Sequence, residues 1–136
     1  MNKLSCILLV DDDDTTNFIN QLLLEDLQVT EQVLIATNGW EALQLIKLQW
    51  RDGDCPQLIL LDLNMPEMDG LEFLKAYEEL EFDQKQAVVI VVLTTSENPG
   101  DVERLQKSPI KGVINKPLTE KKVQDLLRLY FNEEIG

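Results

Sequence analysis

Five short apolar runs recur along the chain, and they limit its fold more than any other feature of the sequence. The runs are rich in β-branched residues and lie at residues 7–10, 33–36, 58–61, 88–93 and 112–114. A strand covered on both faces has this continuous apolar pattern, whereas a strand with one wet face alternates with polar residues. The runs therefore predict five strands of a parallel sheet that is buried on both sides.

Apolar residues three or four positions apart follow each run, which is the spacing of one face of an α-helix. These residues are Phe18, Ile19, Leu22 and Leu23; Ala42, Leu43 and Ile46; Leu71, Leu74 and Tyr77; Val102 and Leu105; and Val123, Leu126, Leu127 and Tyr130. Thr119 precedes the last set and is a favourable N-cap residue. Strand–helix alternation with right-handed crossovers predicts an α/β fold, a doubly wound parallel sheet with helices on both faces.

Length and charge narrow the classes of protein that this chain can be. The chain has 136 residues, a net charge of −13 and no histidine. This length suits one domain over residues 1–136, without an output domain. No apolar stretch approaches the roughly 18 residues of a membrane span, and no signal-peptide pattern is present. We therefore expect a cytoplasmic protein that binds neither membrane nor, given its negative charge, nucleic acid.

Polar residues follow four of the predicted strands, at the edge where open parallel sheets bind ligands. Asp11 and Asp12 follow the first run, Asp62 the third, Thr94 the fourth and Lys116 the fifth. Two carboxylates about 5 Å apart repel by roughly 3 kcal/mol at an effective dielectric constant of about 20, so the three acids call for a cation. Mg²⁺ suits them because it prefers carboxylate oxygens and leaves positions for phosphoryl oxygens. With a lysine and a hydroxyl nearby, this set is what phosphoryl transfer to a carboxylate requires.

Some of these residues also have a purely structural interpretation. Asp13 and Asp14 directly precede a helical pattern, where acids cap a helix and complement its dipole. The same interpretation stays open for Asp11 and Asp12, and Thr94 could be an ordinary strand-end hydroxyl. The convergence of acids, hydroxyl and lysine favours the functional interpretation.

Five segments of the chain resemble the receiver domain of bacterial two-component response regulators. They are LVDDD at 9–13, NGWEAL at 38–43, LLDLNMPEMDG at 60–70, VLTTS at 92–96 and NKPL at 115–118. The third segment is specific, and the resemblance covers essentially the whole chain. It implies a flavodoxin-like sheet with strand order 2-1-3-4-5 and a single-domain response regulator, a signalling protein rather than an enzyme.

The resemblance also implies a role for each site residue. Asp62 would accept the phosphoryl group from a sensor histidine kinase or phosphotransfer protein, and Thr94 would be the switch hydroxyl. Lys116 would pair with the phosphoryl group, and its peptide bond to Pro117 would be cis. The implied Mg²⁺ ligands come from four residues: Asp11, Asp12, Asp62 and Asn64. The family also implies intrinsic autodephosphorylation, and spacing favours Thr94 over Thr95 without excluding the latter.

Two surfaces are predicted to meet partners. The helix with Phe18 and Ile19 is the expected docking side for the phosphodonor. The surface of residues 99–130 is the expected face for an unidentified downstream protein or for a phosphorylation-dependent homodimer, and we assign to it the basic residues Arg104, Lys107, Lys111, Lys121, Lys122 and Arg128. Val113 stands where many receivers carry Tyr or Phe, so the family's coupled aromatic rotation does not carry over.

Three alternatives compete with this interpretation. Residues 11–15 fit the DxDxT pattern of haloacid-dehalogenase-like phosphatases, with Asp11 as nucleophile and Asp13 as acid/base, but Asp62 would then have no role. An EF-hand loop fails because Phe18 and Ile19 occupy positions that need oxygen ligands. A degenerate receiver that binds partners without phosphorylation is the third alternative.

Overall fold

The computed structural model describes residues 3–51, 56–63, 65, 68–80, 88–94 and 110–131. The strands are β1 (Ile7–Val10), β2 (Val33–Ala36), β3 (Leu58–Asp62), β4 (Val89–Thr94) and β5 (Gly112–Asn115). The helices are α1 (Asp14–Leu27), α2 (Gly39–Arg51), α3 (Gly70–Glu78) and α4 (Glu120–Phe131). Each predicted strand is confirmed, and the predicted helix residues Val102 and Leu105 lie outside the described residues. None of the described helices has both the length and the hydrophobicity needed to cross a bilayer.

The five strands form one parallel sheet in the order β2-β1-β3-β4-β5. The predicted doubly wound α/β fold and its strand order are therefore confirmed. The chain runs from β1 to β2 in one direction and returns past β1 to β3 in the other, so a topological switch point lies between β1 and β3. Ligands of such sheets bind beyond the carboxyl ends of the strands at this point.

The core consists of two apolar layers, one on each face of the sheet. Leu8 and Ile59 pack with side chains of α2 and α3, including Phe73. Leu9 and Leu60 point to the opposite face and pack with side chains of α1 and α4. Successive residues of a strand alternate between faces, so one continuous apolar run supplies both layers.

The edge strands depart from the prediction that every strand is buried on both faces. β1, β3 and β4 are buried throughout. In contrast, Ile35 of β2 is 36% exposed and Val113 of β5 is 48% exposed. An edge strand has a neighbour on one side only, and the helices cover it less completely, so the prediction is wrong for β2 and β5.

The sheet-facing side of helix α1 combines two buried asparagines with Leu23, Leu24 and Leu27, which pack against the core. Phe18 and Ile19, which share an apolar face in the sequence, are 59% and 56% exposed. Asn17, Asn20 and Leu24 are the buried residues of the helix. The apolar spacing therefore identifies a real helix face, and most of that face lies on the surface.

The start of β5 is joined closely to the end of α4. The hydroxyl of Tyr130 donates a hydrogen bond of 2.9 Å to the carbonyl of Lys111. A Cβ atom on Gly112 would collide with that same hydroxyl. Glycine at this position therefore lets the tyrosine reach the main chain of the strand.

Candidate functional site

The acids predicted at the ends of β1 and β3 lie together. A carboxylate oxygen from each of Asp11, Asp12 and Asp62 lies within 4.8 Å of the other two. Asp11 and Asp62 are only 5% and 6% exposed, whereas Asp12 is exposed. The register explains the meeting, because Val10 pairs with Leu61 and the next residue of each strand emerges at the same edge.

Lys116 enters this cluster from the loop after β5. Its Nζ lies 3.0 Å from Asp11 Oδ2 and 3.2 Å from Asp62 Oδ1. The main-chain N–H of Lys116 donates a 3.1 Å hydrogen bond to the carbonyl of Thr94. The peptide bond between Lys116 and Pro117 is cis, as the resemblance implies. The loop therefore directs a long cationic side chain back across the sheet edge.

The ion pairs keep the ammonium of Lys116 charged. Burial of the group lowers the pKa of Lys116, but the hydrogen bond to Asp11 and the negative charges of Asp62 and Asp11 outweigh it. The pKa of Lys116 is therefore raised above its ordinary value of 10.5. An opposite charge within hydrogen-bonding distance favours the charged form in this way.

Thr94 is the last residue of β4 and is 3% exposed. It pairs with Asn115 in the sheet register, which places it one residue from Lys116 across the two strands. Thr95 and Asn64 lie outside the described residues. The choice of Thr94 over Thr95, and the ligand role of Asn64, therefore stay predictions.

Asp13 has the helix-capping role that its position predicted. Its Oδ1 accepts hydrogen bonds from the N–H groups of Thr15 and Thr16, and its Oδ2 accepts one from the Thr16 hydroxyl. The hydrogen bonds from Thr16, first the hydroxyl and then the N–H, and the N–H of Thr15 lower the pKa of Asp13. Both oxygens serve the start of α1, which leaves little for the acid/base role in the phosphatase pattern.

Asn17 helps to set the turn that carries the acids, and sequence reasoning missed it. Its side-chain amide donates a 2.8 Å hydrogen bond to the main-chain carbonyl of Asp11. The N–H of Asp13 donates a 2.9 Å hydrogen bond to Asp11 Oδ1. Asn17 is 2% exposed, and a polar residue on the sheet-facing side of a helix is the signal that could have revealed it.

A cavity of about 330 Å³ opens beside the cluster, between α1 and the loop after β5. Its lining residues are Thr16, Ile19, Asn20, Leu93, Lys116, Pro117 and Leu118. Most of these are apolar, while Lys116 links the cavity to the acids. A partner's side chain entering here would therefore approach the acidic cluster.

The residues of the cluster fit a divalent metal ion. Among the described residues, the ammonium of Lys116 contacts two of the three clustered carboxylates, those of Asp11 and Asp62. The site therefore carries excess negative charge in a partly buried place, where unpaired charge is costly. Carboxylate oxygens are the ligands that Mg²⁺ prefers in proteins. The donor set of Asp11, Asp12 and Asp62 therefore suits a Mg²⁺ site.

Fold and site together define a class of protein, a doubly wound α/β domain with an acidic, lysine-paired site at its switch point. The chain belongs to the response regulator receiver domain family, whose profile matches residues 7–128. This confirms the resemblance seen in the motifs. It also identifies the chain as a signalling phosphoacceptor domain rather than a conventional enzyme.

Individual relatives agree with this assignment. Response regulator Rcp1 from Synechocystis sp. is 35% identical over 103 residues, which are 74% of this chain and 69% of Rcp1. A two-component response regulator from Cytophaga hutchinsonii matches with a TM-score of 0.86 at 27% identity, covering 97% of this chain and 100% of the other. The phosphorylated cyanobacterial phytochrome response regulator RcpA matches with a TM-score of 0.77 at 25% identity, covering 94% of each chain.

Proposed function

We propose that this protein is a response regulator that accepts a phosphoryl group on Asp62 with the help of Mg²⁺. The observation that carries the proposal is the contact of the buried Asp62 carboxylate with Lys116 inside a cluster of three acids. The donor would be a sensor histidine kinase, a phosphotransfer protein or a small phosphodonor. The phosphorylated state of the relative RcpA agrees with this role.

In the proposed transfer, a carboxylate oxygen of Asp62 forms a bond to phosphorus. The bond between phosphorus and the donor breaks, and the donor keeps the electron pair. Lys116, 3.2 Å from Asp62 Oδ1, would neutralise charge that builds up on the phosphoryl oxygens. Mg²⁺ held by Asp11, Asp12, Asp62 and Asn64 would supply further positive charge when bound.

The approach of the phosphodonor is best supported on α1. Phe18, Ile19 and Leu22 are 59%, 56% and 44% exposed, and their spacing groups them on one side of the helix. Ile19 also lines the cavity that reaches Lys116. An exposed apolar patch beside a reactive site is typical of a protein-docking surface. We therefore place the donor's docking surface on this side of α1.

The output of the proposed switch starts at Thr94. Its hydroxyl would move to the phosphoryl group and shift the population of conformations around β5. Val113 of β5 is 48% exposed, so it offers a contact surface without the aromatic switch of many receivers. We propose that an unidentified downstream protein, or a second copy of the chain in a homodimer, binds the predicted partner surface of residues 99–130. The proposal also includes autodephosphorylation of Asp62.

Replacement of Asp62 by Asn tests the proposal. Incubation of the wild-type protein with acetyl phosphate and Mg²⁺ should add the mass of one phosphoryl group, whereas Asp62→Asn should add none. Asp26→Asn, which removes an exposed acid of α1, should be phosphorylated like the wild type. Chelation of Mg²⁺ should abolish uptake.

Two outcomes would overturn the assignment. Phosphoryl uptake by Asp62→Asn would move the acceptor elsewhere, with Asp11 of the phosphatase pattern as the first candidate. A wild-type protein that takes up no phosphoryl group, and shows no response to beryllium fluoride, would instead be a degenerate receiver.

A further inference from the structure

Helix α4 begins with Glu120 but has a lysine, Lys122, at its third residue, where the start of a helix favours an acid. The hydroxyl of Thr119 caps the helix by accepting a 3.3 Å hydrogen bond from the N–H of Lys122. Lys122 is thus the third helical residue, the position at which a capping box has Glu or Gln. The positive end of the helix dipole also disfavours a cation there. Formation of the helix therefore gives no reason for Lys122.

The side chain of Lys122 instead reaches back to the loop before the helix. Its Nζ donates hydrogen bonds of 2.7 Å to the carbonyl of Asn115 and 2.9 Å to the carbonyl of Pro117. These two carbonyls belong to the residues on either side of Lys116. The ammonium of Lys122 therefore holds the main chain before and after the site lysine.

The held loop is the one that aims Lys116 at the acids. On the strand side it is fixed by the hydrogen bond from the N–H of Lys116 to the carbonyl of Thr94. On the helix side it is fixed by Lys122. The Lys116 ammonium lies 3.0 Å from Asp11 Oδ2 and 3.2 Å from Asp62 Oδ1, so a shift of the loop would displace it from both acids. Small displacements of a reacting group have large effects on rate.

The neighbouring Lys121 shows that charge alone does not explain these contacts. Lys121 is exposed, and its side chain has no hydrogen bond within the described residues, whereas Lys122 is half-buried. Both lysines belong to the predicted basic partner face. For Lys122 the structure gives a different reason, since two of its donors are used inside the molecule.

We propose that Lys122 is a positioning residue that fixes the loop of residues 115–117 and so directs the Lys116 ammonium to the phosphoryl site. The catalytic consequence rests on the proposed function of Asp62. The structural consequence, a fixed loop, does not depend on phosphorylation.

Three variants test the proposal through the rate of phosphoryl uptake from acetyl phosphate with Mg²⁺. Lys122→Gln should slow uptake about tenfold, the lower end of the range for groups that orient the ligands of a metal site. Lys122→Arg should restore most of the rate, because a guanidinium can also donate to two carbonyls. Lys121→Gln, the matched control, removes the same charge and should leave the rate close to that of the wild type.

A double variant separates positioning from a general loss of stability. If Lys122 acts through Lys116, Lys122→Gln should cause no further loss in a protein that already carries Lys116→Met. If the double variant instead lost rate by the product of the two single-variant factors, the two lysines would act independently and the proposal would be contradicted. Equal slowing by Lys121→Gln and Lys122→Gln would assign the effect to surface charge and would also contradict it.

Amide signals of the unphosphorylated protein give a second measurement, by ¹H–¹⁵N NMR. Lys122→Gln should shift the signals of Asn115, Lys116 and Leu118, and Lys121→Gln should leave them in place. If the wild-type protein takes up no phosphoryl group, the proposed function is refuted. The amide signals still test whether Lys122 fixes the loop of residues 115–117, because that contact does not require phosphorylation. Unmoved signals, or loss of the fold in both Lys122→Gln and Lys122→Met, would overturn the proposal.

Discussion

The starts of α3 and α4 share the same N-cap hydrogen bond but carry opposite charge at the third helical residue. In α3, Asp69 accepts a 2.9 Å hydrogen bond from the N–H of Glu72, and Glu72 accepts a 3.2 Å hydrogen bond from the N–H of Asp69. In α4, Thr119 caps the helix in the same way, but Lys122 turns to the preceding loop. The third residue thus stabilises its own helix in α3 and the site loop in α4.

The difference shows that each side of the site has its own kind of support. Asp62 lies before α3, where Gly70 packs its main chain against the strand end and donates a 2.9 Å hydrogen bond to the carbonyl of Leu63. Lys116 lies before α4, where a charged side chain does the holding. The acid side is thus supported by close packing and a hydrogen bond between main-chain groups, whereas the loop of Lys116 is held by hydrogen bonds from a charged side chain.

Gly70→Ala would break the support on the acid side and should have the largest effect on stability. A Cβ at this position would lie 2.7 Å from the carbonyl oxygen of Asp62 and 2.8 Å from Cα of Leu63. Both are main-chain atoms, so the strand end or the helix must move, at a cost of about 1–3 kcal/mol. Urea denaturation of the variant and the wild type measures this loss.

Gly39→Ala is the matched control for that prediction. Its Cβ would lie 2.6 Å from Cγ and 2.7 Å from Sδ of Met68, atoms of a flexible side chain, and its nearest main-chain atom, the carbonyl oxygen of Met68, is 3.0 Å away. It should therefore destabilise the protein less than Gly70→Ala does. A loss as large at Gly39 as at Gly70 would contradict the view that main-chain packing supports the acid side.

Lys122→Glu would give α4 the same cap as α3 and should separate stability from function. A glutamate in the first turn gains about 0.3–1 kcal/mol from the helix dipole, which offsets part of the lost contacts with the loop. We therefore expect a thermal midpoint close to that of the wild type, together with phosphoryl uptake slowed about tenfold by loss of the positioning contacts. Lys121→Glu carries the same charge change, and a similar slowing there would show that charge is the cause.

Glu41→Gln should have the smallest effect on stability. Glu41 is near the start of α2, where its N–H donates to the side chain of Asn38 as the N–H of Glu72 donates to Asp69 in α3. Glu41 accepts hydrogen bonds from the N–H and the hydroxyl of Thr37, and these, the N–H first, lower the pKa of Glu41 below its ordinary value of 4.5. Because the pKa of Glu41 is lower in the folded protein than in the unfolded chain, its carboxylate stabilises the fold at pH values above the unfolded-state pKa. This stabilisation is lost as the pH falls through the folded-state pKa. Thermal unfolding should show a small deficit of Glu41→Gln at neutral pH that closes in acid.

Glu31→Gln provides the comparison for the pH experiment. Glu31 is an exposed glutamate just before β2. A deficit of equal size and pH dependence in Glu31→Gln would point to net charge rather than to the contacts of Glu41.

Much of the fold and of the acidic cluster could be predicted because the relevant rules act locally. The apolar runs at 7–10 and 58–61 identify strands by their own composition, and parallel strands bring their carboxyl ends to one edge. Asp11, Asp62 and Lys116 therefore meet without any further information from packing. The same local rules assigned Asp13 to the cap of α1.

Packing decided the features that the sequence could not show. The spacing of Phe18 and Ile19 defines a helix face without saying which side meets the sheet. Asn17 takes the sheet-facing position because its amide binds the carbonyl of Asp11 at the polar end of the sheet. Lys121 and Lys122 are equivalent as residue types, and only the reach to two carbonyls distinguishes the second.

The contact of Tyr130 with Gly112 has a consequence for how this chain can diverge. Any side chain added at residue 112 would occupy the place of the tyrosine hydroxyl, which also binds the carbonyl of Lys111. Replacement of Gly112 by a larger residue is therefore tolerated more easily after Tyr130 has been replaced by a residue without the hydroxyl. Among related chains that keep this junction, glycine at 112 and tyrosine at 130 should be inherited as a pair.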